Sequence, residues 1–170
     1  LGWFRKHDPL VVARSLRATP VLVLHGATDR QVTPEQAELL GKAFREHTAD
    51  TGFCLIGSAK SNIGHCESAA GIAGLTKVIL QMRHRQIAPS LHSQRLNPNI
   101  DFGITPFEVN QSLRDWDAPV VDGRRVPRIA GLSSFGAGGA NAHFVIEEPA
   151  GAAHAHGADS TLPGVPAIVP

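Results

Sequence analysis

Several residue types are scarce in this chain of 170 residues. Aromatic side chains make up 5% of it and tyrosine is absent, so a buried core must consist mainly of Leu, Ile, Val and Ala. Cys54 and Cys66 are the only cysteines, which argues against a disulfide framework, and they do not form a CxxC pair. A formal net charge of +1 gives no reason to expect nucleic acid or an anionic membrane as a partner.

Long hydrophobic runs are also missing. None approaches the roughly 20 residues that span a bilayer, and residues 1–7 lack the basic-then-apolar order of a secretion signal. The nine histidines do not indicate a metal site, since His154 and His156, for example, lie in an Ala/Gly-rich tail. We therefore expect a soluble, cytoplasmic protein without a bound metal.

The regular elements that the sequence predicts alternate between strand and helix. The apolar run 21–24 and the run 53–57 are typical of strands buried on both faces of a parallel sheet. A capping box at Thr33 and Gln36 predicts a helix that ends near His47. A second helix is predicted over residues 67–84, and because it is apolar around most of its circumference we expect it in the middle of a layered fold.

The second half of the chain is predicted to contain long loops. Between residues 87 and 127 it is rich in Pro, Asn, Asp and Gln, with one expected strand at 107–109. Two further strands, at 128–132 and 143–146, flank a glycine-rich turn and are expected to be neighbours in one sheet. The residues after 149 have the Ala, Gly, His and Pro composition of a linker or disordered tail.

Two motifs carry chemical interest. Residues 60–65, Lys-Ser-Asn-Ile-Gly-His, place a basic group and an imidazole at the mouth of the helix that follows. The glycine-rich turn lies within residues 131–143 and lets main-chain amides approach a substrate closely. It is neither a phosphate-binding P-loop nor a dinucleotide fingerprint, because the required spacings are absent. Together the two motifs indicate an active site.

These motifs, with Glu-Ser-Ala-Ala-Gly at 67–71 and Asn-Pro-Asn-Ile-Asp-Phe at 97–102, closely resemble the carboxyl-terminal part of the β-ketoacyl synthase (ketosynthase) domain of modular polyketide synthases. The resemblance covers residues of about 42–149. It implies an α/β fold, the carboxyl-terminal half of the layered thiolase-like architecture. The implied activity is decarboxylative Claisen condensation of acyl and malonyl thioesters on carrier proteins, in polyketide or fatty acid biosynthesis.

The resemblance also assigns roles to individual residues. It makes His65 one of two histidines that donate hydrogen bonds to a developing enolate oxygen, a task that suits imidazole. It makes Lys60 the lysine that organises charge around the site. A backbone amide at Ala137 would help to form the oxyanion hole, and Phe135 would pack beside it. The remaining residues of the substrate-binding turn are Gly136, Gly138 and Gly139.

The family's nucleophilic cysteine belongs to an upstream segment, so the resemblance implies that this chain alone is inactive. Cys66 adjoins His65, yet we interpret both cysteines as structural. The implied partner is an acyl carrier protein whose phosphopantetheine bears the acyl or malonyl thioester, with no cofactor bound by this chain itself. A homodimer is implied for the parent domain.

Upstream of Lys42 the pattern departs from the family. His25-Gly26 stands where ketosynthases have His-Gly-Thr-Gly-Thr, so His25 is the second histidine by position only. Residues of about 1–36 instead resemble the carboxyl-terminal segment of an α/β-hydrolase, a strand–helix unit with Asp29 in the place of the triad acid. No Gly-x-Ser-x-Gly elbow accompanies it.

We therefore predict a hydrolase-like fragment at 1–41, a ketosynthase carboxyl-terminal domain at 42–149, and a linker or disordered tail at 150–170. Two alternatives stay open: a non-catalytic remnant that serves dimerisation or docking, and a serine hydrolase fragment that uses Asp29. Since a sheet separated from its partner elements exposes apolar surface, the isolated chain is predicted to aggregate or to pair with another chain.

Overall fold

The computed structural model describes residues 22–24, 41–42, 44–46, 48–135 and 141–149. Four predictions lie outside these residues: the helix cap at Thr33, the positions of His25 and Asp29, the glycine turn 136–140, and the tail after 149. The strands are β1 (Leu22–Leu24), β2 (Cys54–Gly57), β3 (Gln86–Ile87), β4 (Phe107–Val109), β5 (Arg114–Asp115), β6 (Val120–Val121), β7 (Arg124–Arg125), β8 (Ile129–Phe135) and β9 (Asn141–Glu147). The helices are α1 (Lys60–Ile63) and α2 (Ala70–His84), with 3₁₀ turns at Glu67–Ala69 and Phe102–Ile104.

The main sheet has five strands in the order β4-β2-β1-β8-β9. The first four run parallel to one another, and β9 returns antiparallel to β8. Leu24 of β1 pairs with Gly57 on one side and with Leu132 on the other. The apolar runs that predicted parallel strands are confirmed, and so is the adjacency of the two strands that flank the glycine turn.

Helix α2 covers one face of this sheet. It contributes to a buried cluster formed by Leu55, Val78, Met82, Ile87, Trp116, Ala130 and Leu132. The helix lies close to β8 because glycines face the strand: a Cβ on Gly74 would stand 2.7 Å from Leu132 Cδ1, and one on Gly71 would stand 3.3 Å from Ser134 Oγ. The small residues in the first half of α2 therefore set the distance between helix and sheet.

The opposite face of the sheet packs against a second helical stretch, of which residues 41, 42, 44 and 45 are described. Phe44 contacts Phe53 and Phe107 edge to face, with ring centroids 5.9 and 5.8 Å apart. Cys54 is fully buried in the same cluster. A sheet with helical cover on both faces is the layered α/β architecture that the sequence predicted.

Within the described residues, the outer face of α2 is uncovered. Ile72 and Ile79 are 60% and 51% exposed. Leu80 of the same helix and Ile63 of α1 are exposed as well. We expected this helix in the middle of a layered fold, and the described residues cover only its sheet-facing side. The outer face of α2 is therefore an exposed apolar surface.

Region 87–127 contains more regular structure than its composition predicted. The strand at 107–109 is confirmed as β4, but β3 also pairs with β5, and β6 pairs with β7. These strands have two residues each and therefore show no periodicity in the sequence.

Arg128 and Glu148 form an ion pair at the base of the β8–β9 hairpin. Both are buried, and Nη1 of Arg128 donates to both carboxylate oxygens of Glu148 at 2.8 Å. Within the described residues, no helix has the length and apolar character needed to cross a membrane.

Candidate active site at the carboxyl edge of the sheet

The candidate site residues follow strands that end at the same edge of the sheet. His25 is the residue after β1, the motif 60–65 begins three positions after β2, and the glycine turn 136–140 follows β8. These three strands are adjacent and parallel, so their carboxyl ends lie side by side. In open α/β sheets this is the edge where ligands bind.

Helix α2 brings the motif and the end of β8 to the same edge of the sheet. Gly71 faces Ser134 while Gly74 faces Leu132, so α2 runs antiparallel to β8. The first turn of α2 begins five residues after His65, and it therefore lies beside Ser134. Phe135 itself pairs with Asn141, and residues 136–140 connect these two partners. The contact at Gly71 is thus what relates the His65 loop to the base of the turn.

His65 is exposed, and its hydrogen bonding defines its tautomer. The backbone N–H of Glu67 donates to Nδ1 of His65 at 2.9 Å. Because that nitrogen accepts, the proton of a neutral ring must be on Nε2. Nε2–H is a hydrogen-bond donor, which is the role that the resemblance implied for this histidine.

The chain turns sharply between α1 and His65. Gly64 has a backbone φ of 78°, which residues other than glycine rarely adopt. Its N–H donates to Lys60 O at 2.9 Å. Glu67 also has a positive φ, of 47°. The glycine in the motif is therefore required by the backbone that leads from Lys60 to His65.

Lys60 is half-buried and begins α1, and its N–H donates to Ser58 Oγ at 3.1 Å. The structure describes Phe135 only through its backbone pairing. The turn residues Gly136, Ala137, Gly138 and Gly139 lie outside the described residues, as does His25. Their catalytic assignments therefore remain predictions.

The sequence analysis missed Lys77, which reaches the motif from α2. Its Nζ donates to Ser58 O at 3.0 Å and to Asn62 Oδ1 at 3.2 Å. Partial burial lowers the pKa of Lys77 to about 8, because the ammonium group loses water. The signal in the sequence was a single lysine within residues 70–80, whose other members are apolar except for Thr76.

A second polar pair lies on the other face of β8. Ser133 Oγ and His143 Nδ1 are 2.9 Å apart across the β8–β9 pairing. Side chains alternate along a strand, so Ser133 points away from the α2 side, which Ser134 faces. Protein atoms packed around part of the His143 ring lower its pKa below the usual value. This pair cross-links the hairpin that carries the glycine turn.

Neither cysteine is in a disulfide bond, and the surroundings of the two differ. Cys54 is fully buried in β2, whereas Cys66 is half-buried and its Sγ lies 3.8 Å from Gly64 O. In the part of the chain that the structure describes, no group of three or more His, Cys, Asp or Glu side chains is arranged to hold a metal ion.

Comparison with known proteins decides the family. Residues 20–94 match the family model described as the carboxyl-terminal domain of β-ketoacyl synthase. Over 132 residues, 78% of this chain, it is 58% identical to polyketide synthase PksM of Bacillus subtilis. The chain is the carboxyl-terminal part of a ketosynthase domain. It spans 3% of the length of PksM and an equal share of PksL, to which it is 57% identical.

Solved ketosynthases share this structure. The ketosynthase from module 6 of the bacillaene synthase of Bacillus subtilis superimposes with a TM-score of 0.69 at 44% identity, over 76% of this chain and 23% of that chain. An oxazolomycin ketosynthase domain from Streptomyces albus gives 0.72 at 42% identity, over 83% and 26%. The thiolase-like ketosynthase fold expected from the motifs is therefore confirmed, and the chain spans about a quarter of these domains.

The ketosynthase match begins upstream of the region in which we expected it. It starts at residue 20 and so includes β1, which lies between β2 and β8 in the main sheet. Residues 22–24 are thus an integral strand of the ketosynthase sheet. The division at residue 41 and the hydrolase likeness of residues 1–36 stay predictions.

Proposed function

We propose that this chain supplies the carboxyl-terminal half of a ketosynthase active site for decarboxylative condensation in polyketide biosynthesis. The observation that carries the proposal is the packing of Gly71 against Ser134, which relates the His65 loop to the end of β8, the strand that the glycine turn follows in the sequence. Condensation of an acyl thioester with a malonyl thioester needs hydrogen-bond donors close to the enolate oxygen, where negative charge develops.

The proposed chemistry uses the donors of this chain in turn. A malonyl thioester breaks its bond to the carboxylate and releases CO₂, and the electron pair moves to the thioester oxygen. Nε2–H of His65 stabilises that oxygen, together with His25. The enolate carbon then attacks the acyl thioester held on a cysteine, and the cysteine thiolate leaves. Main-chain amides of the turn at Gly136 and Ala137 stabilise the second oxyanion, while Lys60 organises the surrounding charge.

The acyl group that the enolate attacks must be held by protein outside this chain. Cys54 is fully buried in a strand, and Cys66 follows His65 directly instead of facing it across a pocket. About three quarters of each solved ketosynthase lies outside the region matched. The exposed apolar face of α2 at Ile72 and Ile79 offers a contact surface for that remaining part.

The partners follow from the reaction. We propose that an acyl carrier protein presents both thioesters on its phosphopantetheine arm, that this chain binds no cofactor of its own, and that the complete domain is a cytoplasmic homodimer. A non-catalytic docking role is the alternative, and the same apolar face of α2 would serve it.

Reconstitution tests the proposal. The amino-terminal part of the module 6 bacillaene ketosynthase would be co-expressed with, or fused to, this chain, and transfer of an acyl group to protein thiol would be followed by condensation with malonyl carrier protein. We expect no condensation by the chain alone and condensation by the assembled pair. A well-folded pair that accepts the acyl group but never condenses would favour the docking role. Activity of the chain alone that depends on Asp29 would favour the hydrolase.

A further inference from the structure

The side chain of Lys77, in the middle of α2, makes contacts outside its own helix. The two residues that follow Lys77, Val78 and Ile79, lie in the core and on the outer face of the helix. The Lys77 side chain instead runs from the helix to the connection after β2, where Nζ donates to Ser58 O at 3.0 Å and to Asn62 Oδ1 at 3.2 Å. One side chain therefore joins two points of the segment that carries Lys60.

Both acceptors of the Lys77 ammonium group are uncharged oxygens, one from a carbonyl and one from an amide. A surface lysine normally keeps its ammonium group in water while its stem lies on the protein. Here the group is partly withdrawn from water, which costs free energy that the two hydrogen bonds offset. This arrangement restrains the acceptors more than a mobile surface contact would.

Ser58 is the centre of the network that Lys77 joins. It is 3% exposed. Its carbonyl oxygen also accepts from Ser61 Oγ at 3.2 Å, and its own hydroxyl oxygen accepts from the N–H of Lys60 at 3.1 Å. Ser61 Oγ in turn accepts from the N–H of Leu91 at 3.1 Å. The connection is thus tied to α2 through Lys77 and to the segment after β3 through Leu91.

We propose that Lys77 is a positioning residue: it fixes residues 58–62 so that Lys60 and, beyond Gly64, His65 are presented at the carboxyl edge of the sheet. Among the described residues, Lys77 donates to Ser58 and Asn62, neither of which is assigned a role in the reaction. Its catalytic consequence rests on the proposed ketosynthase function, whereas its effect on the backbone of the motif does not.

The backbone effect is tested by hydrogen exchange on the whole chain, measured by mass spectrometry over the segment 58–66. Lys77→Met removes both donors and keeps the length of the side chain. The amides of Asn62, Ile63 and Gly64, which donate to Ala59 O, Ala59 O and Lys60 O, report on the motif. We expect their exchange to accelerate about tenfold, as loss of a charged hydrogen bond predicts, with the β8–β9 hairpin unchanged.

Two matched variants separate positioning from general destabilisation. Lys77→Arg keeps the charge and donors and should restore most of the protection, and Arg83→Met, on the exposed side of the same helix, should leave it unchanged. Unaltered exchange over 58–66 in Lys77→Met would overturn the proposal, and so would equal acceleration in the hairpin. If Lys77→Met does not fold, Asn62→Ala removes one acceptor only and must accelerate exchange in the same segment.

The catalytic consequence has its own readout. In the reconstituted ketosynthase, Lys77→Met should lower kcat about tenfold while KM for the carrier thioester stays constant, and Lys77→Arg should recover most of the rate. A change in KM with kcat constant would contradict a positioning role. If the wild-type pair is inactive, the proposed function fails, and the exchange data still decide whether Lys77 holds the motif.

Discussion

The close approach of α2 to β8 makes a sharp prediction for Gly74. Alanine at this position places a Cβ 2.7 Å from Leu132 Cδ1, closer than carbon atoms pack, and Leu132 is buried in the core cluster. Overpacking of this kind costs about 1–3 kcal/mol. Alanine in a helix interior is about 1 kcal/mol more favourable than glycine, so we expect a net loss of about 0–2 kcal/mol.

Gly71→Ala is the matched control on the same face of the helix. Its Cβ would lie 3.3 Å from Ser134 Oγ, a contact that a small shift relieves. The gain in helix propensity should then dominate, and we expect stability to be unchanged or increased by up to about 1 kcal/mol. The two glycines therefore predict changes of opposite sign from the same substitution.

Thermal unfolding of the reconstituted ketosynthase measures both variants, at one fixed protein concentration because association shifts the midpoint. A third variant shows whether the contact is the cause. In a Leu132→Val background the terminal methyl group is gone, and Gly74→Ala should become neutral or stabilising. If Gly74→Ala raises the midpoint in the wild-type background as much as Gly71→Ala does, α2 does not lie as close to β8 as described.

Three further predictions concern buried and titrating groups. Arg128→Met leaves the Glu148 carboxylate buried and unpaired, and should cost about 3–5 kcal/mol in thermal unfolding, whereas Arg128→Met with Glu148→Leu should cost less. The pKa of His143 is lowered in the folded state, so below about pH 6.5 the folded chain binds fewer protons than the unfolded chain. Its stability should therefore fall as the pH drops below about 6.5, and His143→Gln should remove this dependence. The pKa of Lys77 is about 8 folded against 10.5 unfolded, so stability should rise with pH between these values and do so less in Lys77→Met.

Much of the sheet was predictable because its strands carry a local signal. The run that became β1 is continuously apolar, and β4 occurs at the residues expected, Phe107–Val109. Helix α2 was predictable from its apolar residues and from the small residues that face β8. In each case the determining information lies within a few neighbouring residues.

Other features depend on contacts that the sequence does not reveal. Strands β3 and β5 have two residues each. Trp116 becomes a core residue only because the segment that carries it folds back, so that the backbone N–H of Trp116 donates to Arg85 O. Lys77 reaches Ser58 across 19 positions. The roles of His25 and of the glycine turn still rest on the resemblance to ketosynthases.

The chemistry of His65 is the centre of this account, and decarboxylation of malonyl carrier protein by the reconstituted ketosynthase tests it most directly. His65→Ala is to be compared with His84→Ala, which removes an exposed imidazole at the far end of α2. We predict that His65→Ala lowers the rate of CO₂ release by about 10²–10³, as loss of one oxyanion donor does, and that His84→Ala has no effect. Equal rates for the two variants would contradict the assignment of His65.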